Sequence, residues 1–175
     1  FVFLESVKAA LCADPVWDDG FYQTQPSEGL KAFGRVYAGW AFSQAFFRKA
    51  LYRKLGYDTA IALMDDWARE HAENWDANDL LAKLAAWQTG DVSAGPRYEG
   101  NLKRALGSIK SRVLLMPCTQ DLYFPPEDNQ IEAGLIPGAQ FAPFHSDFGH
   151  SAANPGNDEY FASKLDENIA ALLVS

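Results

Sequence analysis

Two side chains in the last third of the chain have the types and the setting for acid–base chemistry. Asp121 stands in Cys118-Thr119-Gln120-Asp121-Leu122, and His150 stands in Phe148-Gly149-His150-Ser151. A carboxylate that accepts a hydrogen bond from one imidazole nitrogen fixes the tautomer and leaves the other nitrogen as a base. The same residues also read as a turn-capping aspartate and an exposed loop histidine, because Asp and Gly punctuate turns. Such a pair needs a nucleophile, and a serine nucleophile is carried on Gly-x-Ser-x-Gly between a strand and a helix. No serine here has those neighbours: Ser43 is in Ala-Phe-Ser-Gln-Ala and Ser108 in Leu-Gly-Ser-Ile-Lys, and neither cysteine has them. In the order nucleophile, acid, histidine, the serine would lie upstream of Phe1.

Other reactive residues read more simply. His145, before Ser146, reads as structural, and His71, beside Glu70 and Glu73, as a solvated residue on a polar helix face. Arg48, Lys49, Arg53 and Lys54 form a basic block that would suit an anionic cofactor, although a charged helix face is the commoner meaning. Cys12 and Cys118 do not make a disulfide scaffold and read as reduced thiols, which points to the cytoplasm. Neither has a second Cys or His at metal-ligand spacing, and the carboxylates after residue 120 show none either. With no phosphate loop and no dinucleotide fingerprint, no bound cofactor and no metal are expected.

The elements that would position these groups follow from composition and period. With 175 residues, 48% apolar and 22% charged, the chain can bury a core and is not disordered. Its apolar runs fall short of the roughly 18 residues of a membrane span. A net charge of −8 argues against a general grip on nucleic acid. Residues 1–112 balance 14 basic against 14 acidic side chains, whereas residues 113–175 set Lys164 against nine carboxylates. This shift suggests two regions. Phe1 to Leu11 lacks the basic start of a secretory signal and reads as an amphipathic helix entered partway along, as in a piece of something larger.

The first region reads as helical. Pro26 to Lys54 is one aromatic-rich helix with Phe33, Tyr37, Trp40 and Phe47, plus a second stripe of Phe42 and Phe46. Gly56-Tyr57-Asp58 stops it, with Asp58 as the next N-cap. Thr59 to His71 follows, with Ile61, Leu63, Met64, Trp67 and Ala68 inward. Asp76 to Trp87 is a third helix, and Gly90 to Gly100 is a connector. The second region alternates. Arg112 to Pro117 is a strand buried on both faces, Pro125 to Ala133 a helix, and Gln140 to Phe144 a second strand. A loop through His150 leads to a helix from Asp158 to Leu173, with Phe161, Leu165, Ile169, Leu172 and Leu173 inward. This is an α/β unit, which places functional groups at the carboxyl ends of its strands. Two strands do not make a stable sheet, so further strands are expected from elsewhere.

Several segments together resemble the carboxyl-terminal half of the homoserine O-acetyltransferase family, within the α/β-hydrolase superfamily. Ala13-Asp14-Pro15-Val16-Trp17-Asp18-Asp19-Gly20-Phe21-Tyr22, with Pro26, Gly29 and Leu30, is similar to the start of that family's helical lid. Asp76-Ala77-Asn78-Asp79-Leu80-Leu81 resembles the lid's return. Ile109 to Leu115, running on to Asp121-Leu122-Tyr123-Phe124-Pro125-Pro126-Glu127, resembles the strand carrying the acid, and Ile136-Pro137-Gly138-Ala139 with Gly149-His150 completes the set. The resemblance implies an α/β fold in three parts: residues 1–20 ending the first core segment, 21–95 forming the lid, and 96–175 carrying the acid and the histidine.

It also implies acyl transfer through an acyl-serine intermediate, from a thioester such as acyl-CoA to a hydroxyl acceptor. His150 would shuttle the proton and Asp121 would orient it. Carried over residue by residue, the acceptor pocket takes Arg35 in the first lid helix, Phe42 where the family has Tyr, and Ser151 where it has an Asp for the substrate ammonium. Losing a carboxylate that pairs with a buried ammonium costs about 2–5 kcal/mol, which argues against homoserine as acceptor. Two alternatives stand beside this reading: an ester hydrolase with water as acceptor, and a non-catalytic binding or dimerisation module. The expected partners are a small-molecule substrate, an amino-terminal half with the serine, and a second copy meeting the first through the lid. Alone, the chain is expected to be inactive and poorly stable.

Overall fold

A computed structural model describes residues 1–174. The chain divides into two units, the first formed by Phe1–Gly39 and Ala50–Gly90, the second by Trp40–Lys49 and residues 91–174. Residues 1–20 thus pack with helices of the stretch read as lid, and residues 40–49 of that stretch join the unit carrying Asp121 and His150.

The first unit is helical. α1 (Val2–Cys12) buries Phe3, Leu4, Val7 and Leu11, the one-sided spacing of an amphipathic helix. In the turn after it, Asp14 accepts the amides of Val16 (2.9 Å) and Gly29 (2.8 Å) and so anchors the first turn of α2 (Ser27–Ala41). Burial pushes the Asp14 carboxyl up, but these backbone amides outweigh it and hold the group below the ordinary carboxylate range. α4 (Ala60–Asn74) is capped by Thr59, whose Oγ1 accepts from Ala62 N at 3.0 Å. The expected cap, Asp58, stands one residue too early for that bond. Asp76 caps α5 (Ala77–Thr89) through the amides of Asn78 and Asp79.

The single helix expected from Pro26 to Lys54 is broken in three. α2 ends at Ala41; Ser43 takes an extended conformation and caps α3 (Gln44–Arg48) by accepting from Phe46 N; a left-handed Ala50 then opens a 3₁₀ turn over Leu51–Leu55. The serine hydroxyl offers the backbone an alternative to continued helix, which aromatic periodicity does not register. His71 also differs from expectation. It is 8% exposed, because Leu63, Trp67 and His71 share one face of α4 at four-residue spacing. Its ring lies 5.6 Å from Phe33 and 6.0 Å from Trp67. Ile61, expected inward, is 63% exposed.

The second unit is a strand–helix–strand turn with helices at its ends. α6 (Leu102–Leu106) precedes β1 (Leu114–Leu115), α7 (Pro126–Leu135) crosses over, and β2 (Gln140–Phe141) pairs parallel to β1 with Leu114 opposite Gln140 and Leu115 opposite Phe141. The ladder extends beyond the formal strands: Phe144 N donates to Pro117 O (3.0 Å) and Thr119 N to Phe144 O (2.9 Å). Leu114 and Leu115 are only half-buried, against the expectation of a strand covered on both faces, since β2 is its one neighbour among the described residues. α8 (Glu159–Val174) is anchored by Phe161, whose ring stacks 4.6 Å from Phe144, but Ile169 and Leu173, expected inward, are 40% and 67% exposed. No helix among the described residues is long and apolar enough to cross a membrane.

Gly29 marks where α1 and α2 meet most tightly: a Cβ there would stand 2.3 Å from Leu11 O, whereas a Cβ on Gly39 of the same helix would meet nothing within 4 Å. Gly29→Ala should therefore lower stability by about 1–3 kcal/mol. Gly39→Ala should be neutral or raise it by up to about 1 kcal/mol. Urea unfolding of the two variants checks this contrast, and equal effects would contradict the packing described.

Candidate active site

β1 ends at a tight turn in which Asp121 N donates to Cys118 O at 3.0 Å. The Asp121 side chain then folds back over the chain that follows. Its Oδ1 accepts the amides of Tyr123 (2.7 Å) and Phe124 (3.1 Å), and its Oδ2 faces His150 Nδ1 at 2.9 Å. Since a carboxylate only accepts, Nδ1 carries the proton and Nε2 of the neutral ring is left as the base. No described residue bonds Nε2. The Asp121 side chain is 8% exposed and that of His150 35%, so the acid is sheltered while the base is reachable. Tyr123 stands edge-on to the imidazole, with ring centroids 4.6 Å apart, and Phe124 lies at 5.6 Å. Beside the pair runs a cleft of about 270 Å³ along Leu115, Met116 and Phe144, reaching Phe124 and His150.

The loop holding His150 is fixed by residues that the sequence did not single out. Gly149 is left-handed (φ 66°), and a Cβ on it would stand 2.8 Å from Ser43 N and 3.2 Å from Gln120 O. Ser43, 1% exposed, donates from Oγ to Asp147 O while capping α3. Lys49 pairs with the Asp147 carboxylate, and Phe46 packs edge-on to Phe148 at 5.4 Å. On the far side Ser146 Oγ donates to the Asp158 carboxylate and accepts from Phe148 N. Two signals pointed here: a serine interrupting an aromatic run, and a glycine directly before a histidine.

The remaining sequence-derived residues fall differently. Arg35 lies in the first unit, half-exposed and ion-paired with Asp65. Phe42 is 2% exposed and stacks on Phe46 at 4.2 Å. Ser151 follows His150 in the 3₁₀ turn Gly149–Ala153, where Asn157 Nδ2 donates to its Oγ (2.9 Å) and its carbonyl (3.2 Å). His145 is held by Thr119 Oγ1 at 2.9 Å. Both thiols are unpaired, and burial pushes Cys118 up from the ordinary thiol value. No group of three or more His, Cys, Asp or Glu among the described residues is placed to hold a metal ion.

Burial pushes the Asp121 carboxyl up, but the hydrogen bond from His150 and the amides of Phe124 and Tyr123 outweigh it and leave the group below its ordinary value. A depressed carboxyl binds its proton less readily in the folded state. It therefore adds stability above the unfolded value of about 3.9, and that stability is lost as pH falls through the folded value. The stability difference between the unaltered protein and Asp121→Asn should be flat near neutrality and shrink on acidification below pH ~4. Urea midpoints across that range check it; a difference constant down to the acid limit would contradict the assignment.

No protein-family model matches the chain. Along its whole length it is 31% identical to the ethyl acetate hydrolase of Pseudomonas veronii, covering 50% of that protein. It is 32% identical to the homoserine O-acetyltransferase of Trichormus variabilis over 85% of the chain and 42% of the relative. Its fold superposes on the acetyl esterase MekB with a TM-score of 0.90 at 31% identity, covering 99% of the chain and 50% of that structure. The chain thus spans about half the length of the curated relatives it matches. It is a relative of the esterases and homoserine O-acetyltransferases, and it forms part of an α/β-hydrolase fold.

Proposed function

We propose that this chain supplies the acid and the histidine of a serine acyl-enzyme that hydrolyses small acyl esters, with the serine on a part of the protein outside this chain. The observation that carries the reading is the His150 Nδ1–Asp121 Oδ2 bond of 2.9 Å between a sheltered acid and a reachable base. Nε2 takes the serine proton as the serine oxygen attacks the ester carbonyl, then returns it to the departing alcohol as the acyl-serine forms. In the second half Nε2 takes a proton from water, the new hydroxide oxygen attacks the acyl carbon, and the proton goes back to the serine. Asp121 remains a carboxylate and stabilises the transient imidazolium. Residues 21–95 act as a lid in this reading, and Ser43 and Phe42 hold the histidine loop.

Hydrolysis of small esters is favoured over transfer to an amino-acid acceptor by two things. The chain is similar along its whole length to an ethyl acetate hydrolase, and the residue after His150 is Ser151, bonded by Asn157, with no carboxylate at that position to hold an ammonium group. The second reading is acyl transfer from a thioester such as acyl-CoA to an uncharged hydroxyl acceptor, with Arg35 on the acceptor side. Similarity to homoserine O-acetyltransferase supports it.

In the protein that unites this chain with its serine, a fluorophosphonate should label one serine. Asp121→Asn should lower kcat/KM on an acetyl ester by about ten-thousand-fold, and His150→Ala by at least as much. Undiminished turnover in either variant would remove the triad. Product analysis separates the two readings: free acid whose yield is unaffected by an added alcohol means hydrolysis, whereas formation of the new ester at its expense means transfer.

A further inference from the structure

The first unit contains a second histidine whose bonding leaves one nitrogen in search of a partner. His71 Nδ1 lies 2.8 Å from Trp67 O and 3.0 Å from Glu70 Oε2, both acceptors, so the neutral ring carries its proton on Nδ1. No described residue bonds Nε2, although the side chain is only 10% exposed. Every buried side-chain nitrogen and oxygen among the described residues has a partner, so the unbonded Nε2 is an atom that a small molecule can reach. His71 lines a cavity of about 160 Å³ whose other walls are Phe33, Tyr37, Trp75, Leu84 and Trp87. That volume is close to the roughly 150 Å³ that holds one benzene ring in an apolar interior. Leu80 and Lys83 also line it, the Lys83 ammonium 3.7 Å over the Trp75 ring, so the lining is mainly aromatic and the His71 nitrogen is an acceptor beside it.

We propose that this cavity binds a small hydroxylated ring compound of the phenol class, its ring between the aromatic walls and its O–H donating to His71 Nε2. The mainly aromatic lining favours a ring, the volume suits one, and the open His71 nitrogen favours a hydroxyl donor over a methyl group. Neither Asp121 nor His150 is required, so the proposal stands or falls independently of the triad.

Phenol and toluene, matched in size and differing in the donor, are titrated into the intact protein while tryptophan fluorescence is followed, since Trp75 and Trp87 line the cavity. Both should saturate, and the ratio of phenol to toluene affinity should fall about fivefold or more from the unaltered protein to His71→Phe. In the unaltered protein the ¹⁵N resonance of His71 Nε2 should move with phenol and stay with toluene, which decides the matter if His71→Phe does not fold. Absence of saturation, an unchanged affinity ratio, or an Nε2 resonance unmoved by phenol would overturn the proposal.

Discussion

The geometry of the second unit depends on how one carboxylate divides its two oxygens. Asp121 Oδ1 is taken by the amides of Tyr123 and Phe124, which fixes the side chain against the turn that ends β1. Only Oδ2 is left to face outward, and His150 meets it there. Two backbone donors and one imidazole outweigh the cost of burying the charge, so the acid stays ionised where a buried carboxyl would otherwise take up a proton. The amide bonds also orient the rings that follow, placing Tyr123 edge-on to the imidazole. A single turn thereby sets the acid, its charge state and one wall of the base.

The histidine is held by a different device. Its loop is pressed onto the start of α3 at Gly149, where only a residue without a side chain fits between Ser43 N and Gln120 O. Ser43 ties the carbonyl of Asp147, and Lys49 ties its carboxylate. These contacts come from residues 40–49, some 98 to 104 positions upstream for the ties to Asp147, so a break in an aromatic helix becomes the support of a loop in the second unit. A change in the conformation of that break would reach the His150 loop through the Ser43 and Lys49 ties to Asp147 and the close approach at Gly149.

What was legible in the sequence and what was not have physical causes. The strand–helix–strand order, the placement of Asp121 just beyond a strand's carboxyl end and a helix starting near Asp76 follow from period and local chemistry, and they appear as expected. The helix break at Ser43 escaped because a hydrophobic pattern registers burial and not the competing bonds of a hydroxyl. His71 is buried although Glu70 and Glu73 flank it in sequence, because its ring packs between Trp67, one turn before it, and Trp75, just past the end of α4. The burial of Phe42 against Phe46 follows from the same break at Ser43, which aromatic periodicity does not register. The half-buried strand and the bare Ile169 and Leu173 of α8 reflect covering surface that a strand's own sequence cannot supply.

The two histidines show why the same tautomer leads to different chemistry. In each, Nδ1 is held by an acceptor and Nε2 is left open. At His150 the acceptor is a carboxylate with an 8% exposed side chain, so a proton arriving at Nε2 meets a compensating charge in a medium that screens it poorly. At His71 the nearer acceptor is the neutral Trp67 carbonyl, and the Glu70 side chain is 45% exposed, where water weakens its influence. The first arrangement stabilises an imidazolium and suits a base that must be protonated in every cycle. The second leaves a nitrogen beside a mainly aromatic cavity, which suits recognition of a donor and not transfer of its proton.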